Sequence, residues 1–361
     1  MRDRKIQIYG TFGPACKSQE ILKNMIQNGM TGMRLNLSHT TLEKSKEYID
    51  NYRLAADTQG IVPQILIDMQ GPELRIGDME EVSLKRDSKI CFISIGQSLK
   101  METAGSSDSI DGRAENLISD ILIPVPLSVM SALKTGMEVL LDDGKIQVQI
   151  VEVKEECVVA KVLMGGNLKP HKSIKIVDVN VNMPVLTEHD IHNIRLAKEY
   201  GVTALMQPFV FSGEDLKKVR EILKAEKVEN VQIFAKIENR IGVENLGSIL
   251  PEADLIVIAR GDLGNDMPLW ELPAVQKKIE TACKKYGKPY MVVTQMLASM
   301  EENPIPTRAE VSDIFHAVLH GADAVMVTGE TAVGKYPVEV IKYLANTSQE
   351  AVWYKSSEEI K

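Results

Sequence analysis

The chain has 361 residues, with 42 Lys and Arg against 50 Asp and Glu and a formal net charge of −8. That length exceeds one small domain, and the acidic balance argues against nucleic acid as a general partner. The hydrophobic share of 44% is ordinary for a globular protein, and no run of about 18 apolar residues is present, so no membrane-spanning helix is expected. The N-terminus, Met-Arg-Asp-Arg-Lys, has no apolar signal core. The four cysteines, Cys16, Cys91, Cys157 and Cys283, form no close pair. A reducing cytoplasm is therefore the expected setting, without a disulfide framework or a thiolate zinc site.

A first strand over Ile6–Gly10 stops at Gly13-Pro14, and a helix follows from Ser18 to Asn28, with Ser18 as N-cap and Gly29 as C-cap. A second strand, Gly32–Leu35, leads into Asn36-Leu-Ser-His-Thr. The next helix spans Leu42–Thr58 between Thr41 and Gly60. A third strand, Pro63–Asp68, ends in Gln70-Gly71-Pro72.

From Gly77 to Asn182 the helical period fades. Short alternating runs take over at Lys89–Ile95, Glu138–Leu141, Lys145–Val153 and Cys157–Val162, with a turn signal at Asp143-Gly144 and a loop at Thr103–Gly112. This predicts a β-rich inserted domain over 77–182, with 1–76 and 183–361 forming the surrounding domain.

The α/β rhythm resumes with a helix at Glu188–Tyr200. Strands then fall at Thr203–Gln207, Val231–Lys236, Asp254–Ala259, Tyr290–Thr294 and Ala324–Thr328. Helices fall at Gly213–Glu226, Gly242–Leu250, Glu271–Tyr286, Arg308–His320 and Pro337–Trp353. Eight strands alternating with eight helices predict an α/β fold, a closed (β/α)8 TIM barrel with the insertion after the third strand.

Such a barrel works at the carboxyl ends of its strands. There the sequence delivers Thr11, Arg34, Asn36, Ser38, Asp68, Phe209, Lys236, Glu238, Arg260, Gly261, Asp262, Thr294, Gln295, Thr328 and Glu330. Two carboxylates beside a lysine and an arginine suit a divalent cation and a phosphorylated anion. His316 and His320 lie four apart, as a helical metal pair would, but they lack a third ligand and read as a solvated face; His189 and His192 read the same way. Cys16, near the pocket, reads as packing more than as a reactive thiol.

The order of motifs resembles the pyruvate kinase family. The resemblance rests on Thr11-Phe-Gly-Pro-Ala, Met33-Arg-Leu-Asn-Leu-Ser-His, Asp68-Met-Gln-Gly-Pro-Glu-Leu-Arg and Leu141-Asp-Asp-Gly-Lys-Ile. It continues through Ala235-Lys-Ile-Glu-Asn, Ala259-Arg-Gly-Asp-Leu-Gly, Thr294-Gln-Met-Leu-Ala-Ser-Met, Pro306-Thr-Arg-Ala-Glu-Val-Ser-Asp and Thr328-Gly-Glu-Thr-Ala. It implies transfer of a phosphoryl group from phosphoenolpyruvate to ADP, giving pyruvate and ATP. Glu238 and Asp262 are then the expected ligands of Mg²⁺ or Mn²⁺. Lys236 and Arg34 would face the phosphoryl group, and the amides at Gly261 and Asp262 would hold the substrate carboxylate. Thr294 would bind substrate and belong to the route that protonates the enolate. Asn36, Ser38, Asp68 and the Met69 carbonyl match the family's K⁺ site, and Glu73 matches its potassium-dependent members. His39, Arg75, Asp143 and Lys172 match the nucleotide side.

The chain departs from the pattern at Pro208-Phe209-Val210-Phe211, which loses a hydroxyl and a cation, at Met69-Gln70, at Ile241 and at Ser173–Asp178. These departures keep a second reading open, a paralogue acting on another small acid. A third is a silent homologue serving as a binding subunit, against which the retained charged set speaks. The family's C-terminal regulatory domain is expected to be absent, and assembly as a homo-oligomer stays open. Arg260 is expected to orient a carboxylate, with Glu238 the first candidate.

Overall fold

The computed structural model describes residues 5–38, 40–71, 74–95, 121–142, 144–177, 179, 181 and 184–358. The chain folds as two compact units, one formed by Met1–Pro72 with Val185–Lys361 and the other by Glu73–Pro184. The strands in chain order begin with β1 (Gln7–Thr11), β2 (Gly32–Asn36) and β3 (Gln64–Asp68). The second unit holds β4 (Val82–Leu84), β5 (Lys89–Ser94), β6 (Leu122–Val125), β7 (Glu138–Leu141), β8 (Ile146–Val153), β9 (Val158–Met164), β10 (Gly166–Leu168) and β11 (Ile174–Ile176). The first unit resumes with β12 (Ala204–Gln207), β13 (Gln232–Ile237), β14 (Leu255–Ala259), β15 (Tyr290–Val293) and β16 (Ala324–Met326).

In the first unit eight strands close into a barrel in the order β1, β16, β15, β14, β13, β12, β3, β2. Every pairing is parallel, and β1 meets β16 through Gln7 opposite Ala324. The fold is the expected α/β barrel. Its strands read as unbroken apolar runs because both faces are covered. All five residues of β14 are buried. Leu255, Val257 and Ala259 fill the barrel with Tyr9, Leu66, Met206, Phe234, Met291 and Met326. Ile256 and Ile258 belong instead to the core beneath the surrounding helices, with Leu22, Ile49, Val219 and Ile341. Gly32 is required where it stands, because a Cβ there would lie 2.3 Å from the Tyr9 ring.

Helix starts are fixed by capping boxes at Thr187/Asp190 and Thr307/Glu310. Asp190 does more than cap. It is fully buried, and its Oδ1 accepts the Gln70 N–H at 2.8 Å while Oδ2 accepts those of Gly71 at 3.1 Å and Thr187 at 2.9 Å. Replacing Asp190 by alanine strands these buried donors. We expect a stability loss of about 3 kcal/mol in urea unfolding, and a loss near zero would refute the tether.

The second unit pairs β4 with β10 and builds a six-stranded sheet in the order β11, β7, β8, β9, β5, β6. Its core holds Ile90, Phe92, Val125, Val139, Val148 and Ile174. The predicted runs correspond to β5, β7, β8 and β9. The short strands β4, β6, β10 and β11 and a helix over Leu127–Ala132 are additions. Elsewhere the expected Gly242–Leu250 helix is two pieces, Arg240–Glu244 and Leu246–Glu252, with Pro251 inside the second. The last helix runs on to Glu358. The loop expected at Thr103–Gly112 lies outside the described residues. Among those described, no helix is long and apolar enough to cross a membrane.

Candidate active site

Side chains alternate along a strand, so the inward set extends upward by steps of two. From Tyr9 the next is Thr11, from Leu66 it is Asp68, and from Phe234 come Lys236 and then Glu238. The apolar filling of the barrel thus ends in a charged layer. Asn36 and Asp68 face each other across the β2–β3 pair.

Asp68 is the hub of that layer. Its Oδ2 accepts from Arg34 Nε at 2.9 Å and Nη2 at 2.6 Å, and its Oδ1 accepts from Lys236 Nζ at 3.3 Å. Burial would raise the Asp68 carboxyl, but Lys236 and then Arg34 outweigh it and hold it below the ordinary value. Lys236 Nζ also lies 2.8 Å from Glu238 Oε1. Burial alone would pull the ammonium down; Asp68, Glu238 and Asp262 together raise it instead, so Lys236 stays charged.

Glu238 is 2% exposed, and its Oε2 accepts the Phe209 N–H at 2.8 Å. Its Oε1 is buried as well, with the Lys236 ammonium 2.8 Å away favouring the ionised carboxylate by charge and by hydrogen bonding. Burial pushes the carboxyl up to about 7, against the pull of Lys236 and with help from Asp262. Two carboxylates that share one field, the buried Glu238 and the exposed Asp262, suit a hard cation. The donor set therefore fits Mg²⁺ or Mn²⁺ at Glu238 and Asp262.

The backbone around this layer is held in an unusual state. Phe209, Thr294 and Gln295 have φ of 51°, 75° and 54°, the left-handed region that β-branched and bulky residues avoid. At Phe209 this conformation accompanies the amide that reaches Glu238. At Thr294 it accompanies a close approach to Gly261, where a Cβ would meet Thr294 Cγ2 at 3.0 Å. Gly261 and Asp262 open a short helix, Arg260–Asn265.

Arg260 does not orient Glu238. Its Nη1 forks onto Asp313 Oδ1 and Oδ2 at 2.9 and 2.7 Å, and its Nε and Nη2 donate to the Val293 and Thr294 carbonyls at 3.2 and 2.7 Å. The expected carboxylate was Glu238, just past the end of the neighbouring strand β13. The partner instead comes from the helix Arg308–Leu319, which follows only after the strand β15. Thr11 and Glu330 are also structural. Thr11 Oγ1 donates to the Val327 carbonyl at 2.8 Å, and Glu330 accepts the Leu297 N–H at 3.2 Å and the Thr328 N–H at 2.6 Å.

The four oxygens expected around K⁺ lie at the ends of β2 and β3. Asn36 Oδ1 accepts the Ser38 N–H at 3.1 Å, Met69 is buried, and both Asp68 oxygens serve cations. Of the nucleotide set, His39 and Asp143 lie outside the described residues, as does Glu73. Arg75 and Lys172 belong to the second unit, where Arg75 bridges Ser173 and its Nη1 donates to the His171 carbonyl at 2.7 Å. Lys172 Nζ sits 2.8 Å from Asp142 Oδ1 and, with Lys145, holds that carboxyl low.

Among the described residues no group of three His, Cys, Asp or Glu could hold a metal. His192 pairs with Glu43 at 2.6 Å, and His320 with Glu280 at 3.4 Å. Cys16 is fully buried and its thiol is pushed up to about 11, as packing implies. Sequence reasoning passed over the Phe209 amide, Asp190 and Asp313. Only the last two left a trace, Asp190 at capping-box spacing after Thr187 and Asp313 at the end of Pro306-Thr-Arg-Ala-Glu-Val-Ser-Asp.

An eight-stranded parallel barrel with charge gathered at the carboxyl ends of its strands defines the class to which this protein belongs. The chain is a member of the pyruvate kinase family, whose model, described as "Pyruvate kinase, barrel domain", matches residues 3–341. It is 38% identical over 360 residues to a protein named "Pyruvate kinase" from Bacillus licheniformis, covering 98% of this chain and 58% of that protein. It is 40% identical over 343 residues to one from Geobacillus stearothermophilus, covering 94% and 55%. A third, from Staphylococcus aureus (strain USA300), is 37% identical over 353 residues, covering 96% and 57%. The chain thus spans between half and three fifths of the length of these relatives.

Proposed function

We propose that the barrel transfers a phosphoryl group from phosphoenolpyruvate to ADP, giving pyruvate and ATP. The observation that carries this reading is the layer of buried charge at the barrel mouth, in which Lys236 lies between Asp68 and Glu238 while Arg34 pairs with Asp68. Glu238 and Asp262 would hold Mg²⁺ or Mn²⁺. When bound, the ion supplies a Lewis acid that draws charge from substrate oxygens. Arg34 and Lys236 meet the phosphoryl oxygens, and Lys236 is fixed in place by two carboxylates before substrate arrives. The bond from phosphorus to the enol oxygen breaks, and one to a terminal phosphate oxygen of ADP forms. The enolate then takes a proton at its terminal carbon, and the Thr294 hydroxyl stands on that route. The Gly261 and Asp262 amides receive the substrate carboxylate. Asn36, Ser38, Asp68 and Met69 are the K⁺ candidates, since they are oxygen donors on adjacent strand ends. For the nucleotide we propose His39, Arg75, Asp143 and Lys172.

A coupled assay of pyruvate release tests this. Release is expected to require phosphoenolpyruvate, ADP and Mg²⁺ together, and to rise with K⁺. Mn²⁺ binding without pyruvate release would favour the second reading, another phosphorylated small acid, which the loss of a hydroxyl and a cation at Pro208 and Phe211 supports.

A further inference from the structure

The strained Thr294-Gln295 turn needs a cause, because nothing in a Thr-Gln pair favours left-handed backbone. The Arg260 guanidinium supplies one. Its Nε donates to the Val293 carbonyl at 3.2 Å and its Nη2 to the Thr294 carbonyl at 2.7 Å, with Nη2 also 2.9 Å from Met296 Sδ. These two carbonyls belong to the two peptide planes that flank Thr294. Fixing both planes fixes φ and ψ at that residue, since the planes have no other soft rotation between them. The guanidinium is planar, so its own orientation decides where the donors point. That orientation is set by Asp313, whose two oxygens take Nη1 at 2.9 and 2.7 Å.

Asp313 is itself well placed. It lies on the helix Arg308–Leu319, whose start is fixed by the Thr307/Glu310 capping box. Glu310 further accepts the Ser299 N–H at 2.8 Å, tying that helix to the segment that follows the turn. Arg260, for its part, directly precedes Gly261, the residue over which Thr294 Cγ2 leans.

We infer that Asp313, acting through Arg260, is a positioning residue that locks the left-handed Thr294-Gln295 turn and thereby holds the Thr294 side chain over Gly261. The Arg260 donors are engaged by Asp313 and by the Val293 and Thr294 carbonyls, so both residues act through the turn. The consequence for turnover rests on the phosphotransfer reading, whereas the lock itself does not.

The test uses the full chain and two readouts. The first is the Thr294 methyl resonance in protein labelled at threonine methyl groups, assigned by its loss in Thr294→Val. It is expected to move or broaden in Asp313→Asn and in Arg260→Lys, and to return in Asp313→Glu. The second is steady-state kinetics. Asp313→Asn is expected to lower kcat by about 10- to 100-fold while KM for phosphoenolpyruvate changes by less than about threefold. Asp313→Asn combined with Thr294→Val is expected to be no slower than Thr294→Val alone, because the two act in series. An ion pair that merely stabilises would lower the unfolding temperature and leave the methyl signal and kcat in place, which overturns the lock. Multiplying effects in the double variant overturn it too. A displaced methyl signal in Asp313→Asn of a chain that transfers no phosphoryl group upholds the lock and refutes the functional reading.

Discussion

Replacement of Lys236 by methionine is expected to lower turnover by about 10³-fold or more, and to cost stability as well. A positioned cation facing a transferring phosphoryl group contributes on that scale. The stability cost follows from its neighbours. Lys236 sits 3.3 Å from Asp68 and 2.8 Å from Glu238, and all three are buried or nearly so. Removing it leaves two buried carboxylates, of which Arg34 still serves only Asp68. Stranding a buried partner in this way costs about 3–5 kcal/mol. Glu238 escapes part of that by taking a proton, since its carboxyl already stands above its ordinary 4.5. The proton is bound more tightly in the folded state than in the unfolded one. The variant's deficit is therefore smallest below pH 4.5 and grows as pH rises past neutrality. Urea unfolding at pH 5 and pH 8, beside steady-state kinetics, checks both effects. Turnover within tenfold of the parent would refute the role of Lys236, and a pH-independent deficit would refute the charge argument.

Glu238→Gln is expected to act in the opposite sense on stability. The carboxamide oxygen still accepts the Phe209 N–H and the volume hardly changes. What disappears is a buried negative charge that burial disfavours. Folded and unfolded states then stay neutral at this position at every pH. The parent begins to carry the cost of its raised carboxyl above pH 4.5, where the unfolded chain ionises, and carries it in full above about 7, where the folded group ionises too. The variant should thus be more stable than the parent at pH 8, by about 1–3 kcal/mol, and no more stable below pH 4.5. Its affinity for Mn²⁺ should fall by about 100-fold or more, since one of two charged ligands is gone. Mn²⁺ titration followed by electron spin resonance reads this without any assay of turnover. Retained affinity would remove Glu238 from the cation site.

The barrel was legible because its signals are local. A β-strand covered on both faces is an apolar run, and the first residue of opposite character marks its end. Lys236, Glu238 and Asp262 stood out in this way, and the inward parity from Phe234 carries the first two to one layer. Arg260 misled for the same reason. Glu238, at the preceding strand end, offered the obvious carboxylate, but the partner Asp313 is 53 residues away and reaches Arg260 only once β15 and the helix Arg308–Leu319 are in place. The left-handed residues were hidden by their identity. A glycine at 209, 294 or 295 would have announced a turn, whereas Phe, Thr and Gln adopt one only under outside force. In the insertion the short strands and the six-residue helix carry too few residues for a period to show.

The hydrogen bonds of Asp190 give the insertion a particular thermodynamic standing. They join Gly71, where the chain leaves the barrel, to the helix by which it returns, 119 residues later. The barrel therefore experiences the insertion as a single closed loop with neighbouring ends. The entropy of closing a loop grows only logarithmically with its length, to about 4 kcal/mol at this size. Doubling or halving the insert would change that by roughly 0.6 kcal/mol. One buried carboxylate that clasps the two ends recovers most of the total. The barrel can thus host an insert of almost any length at nearly constant stability, and the splice point is set by an aspartate that takes no part in the chemistry.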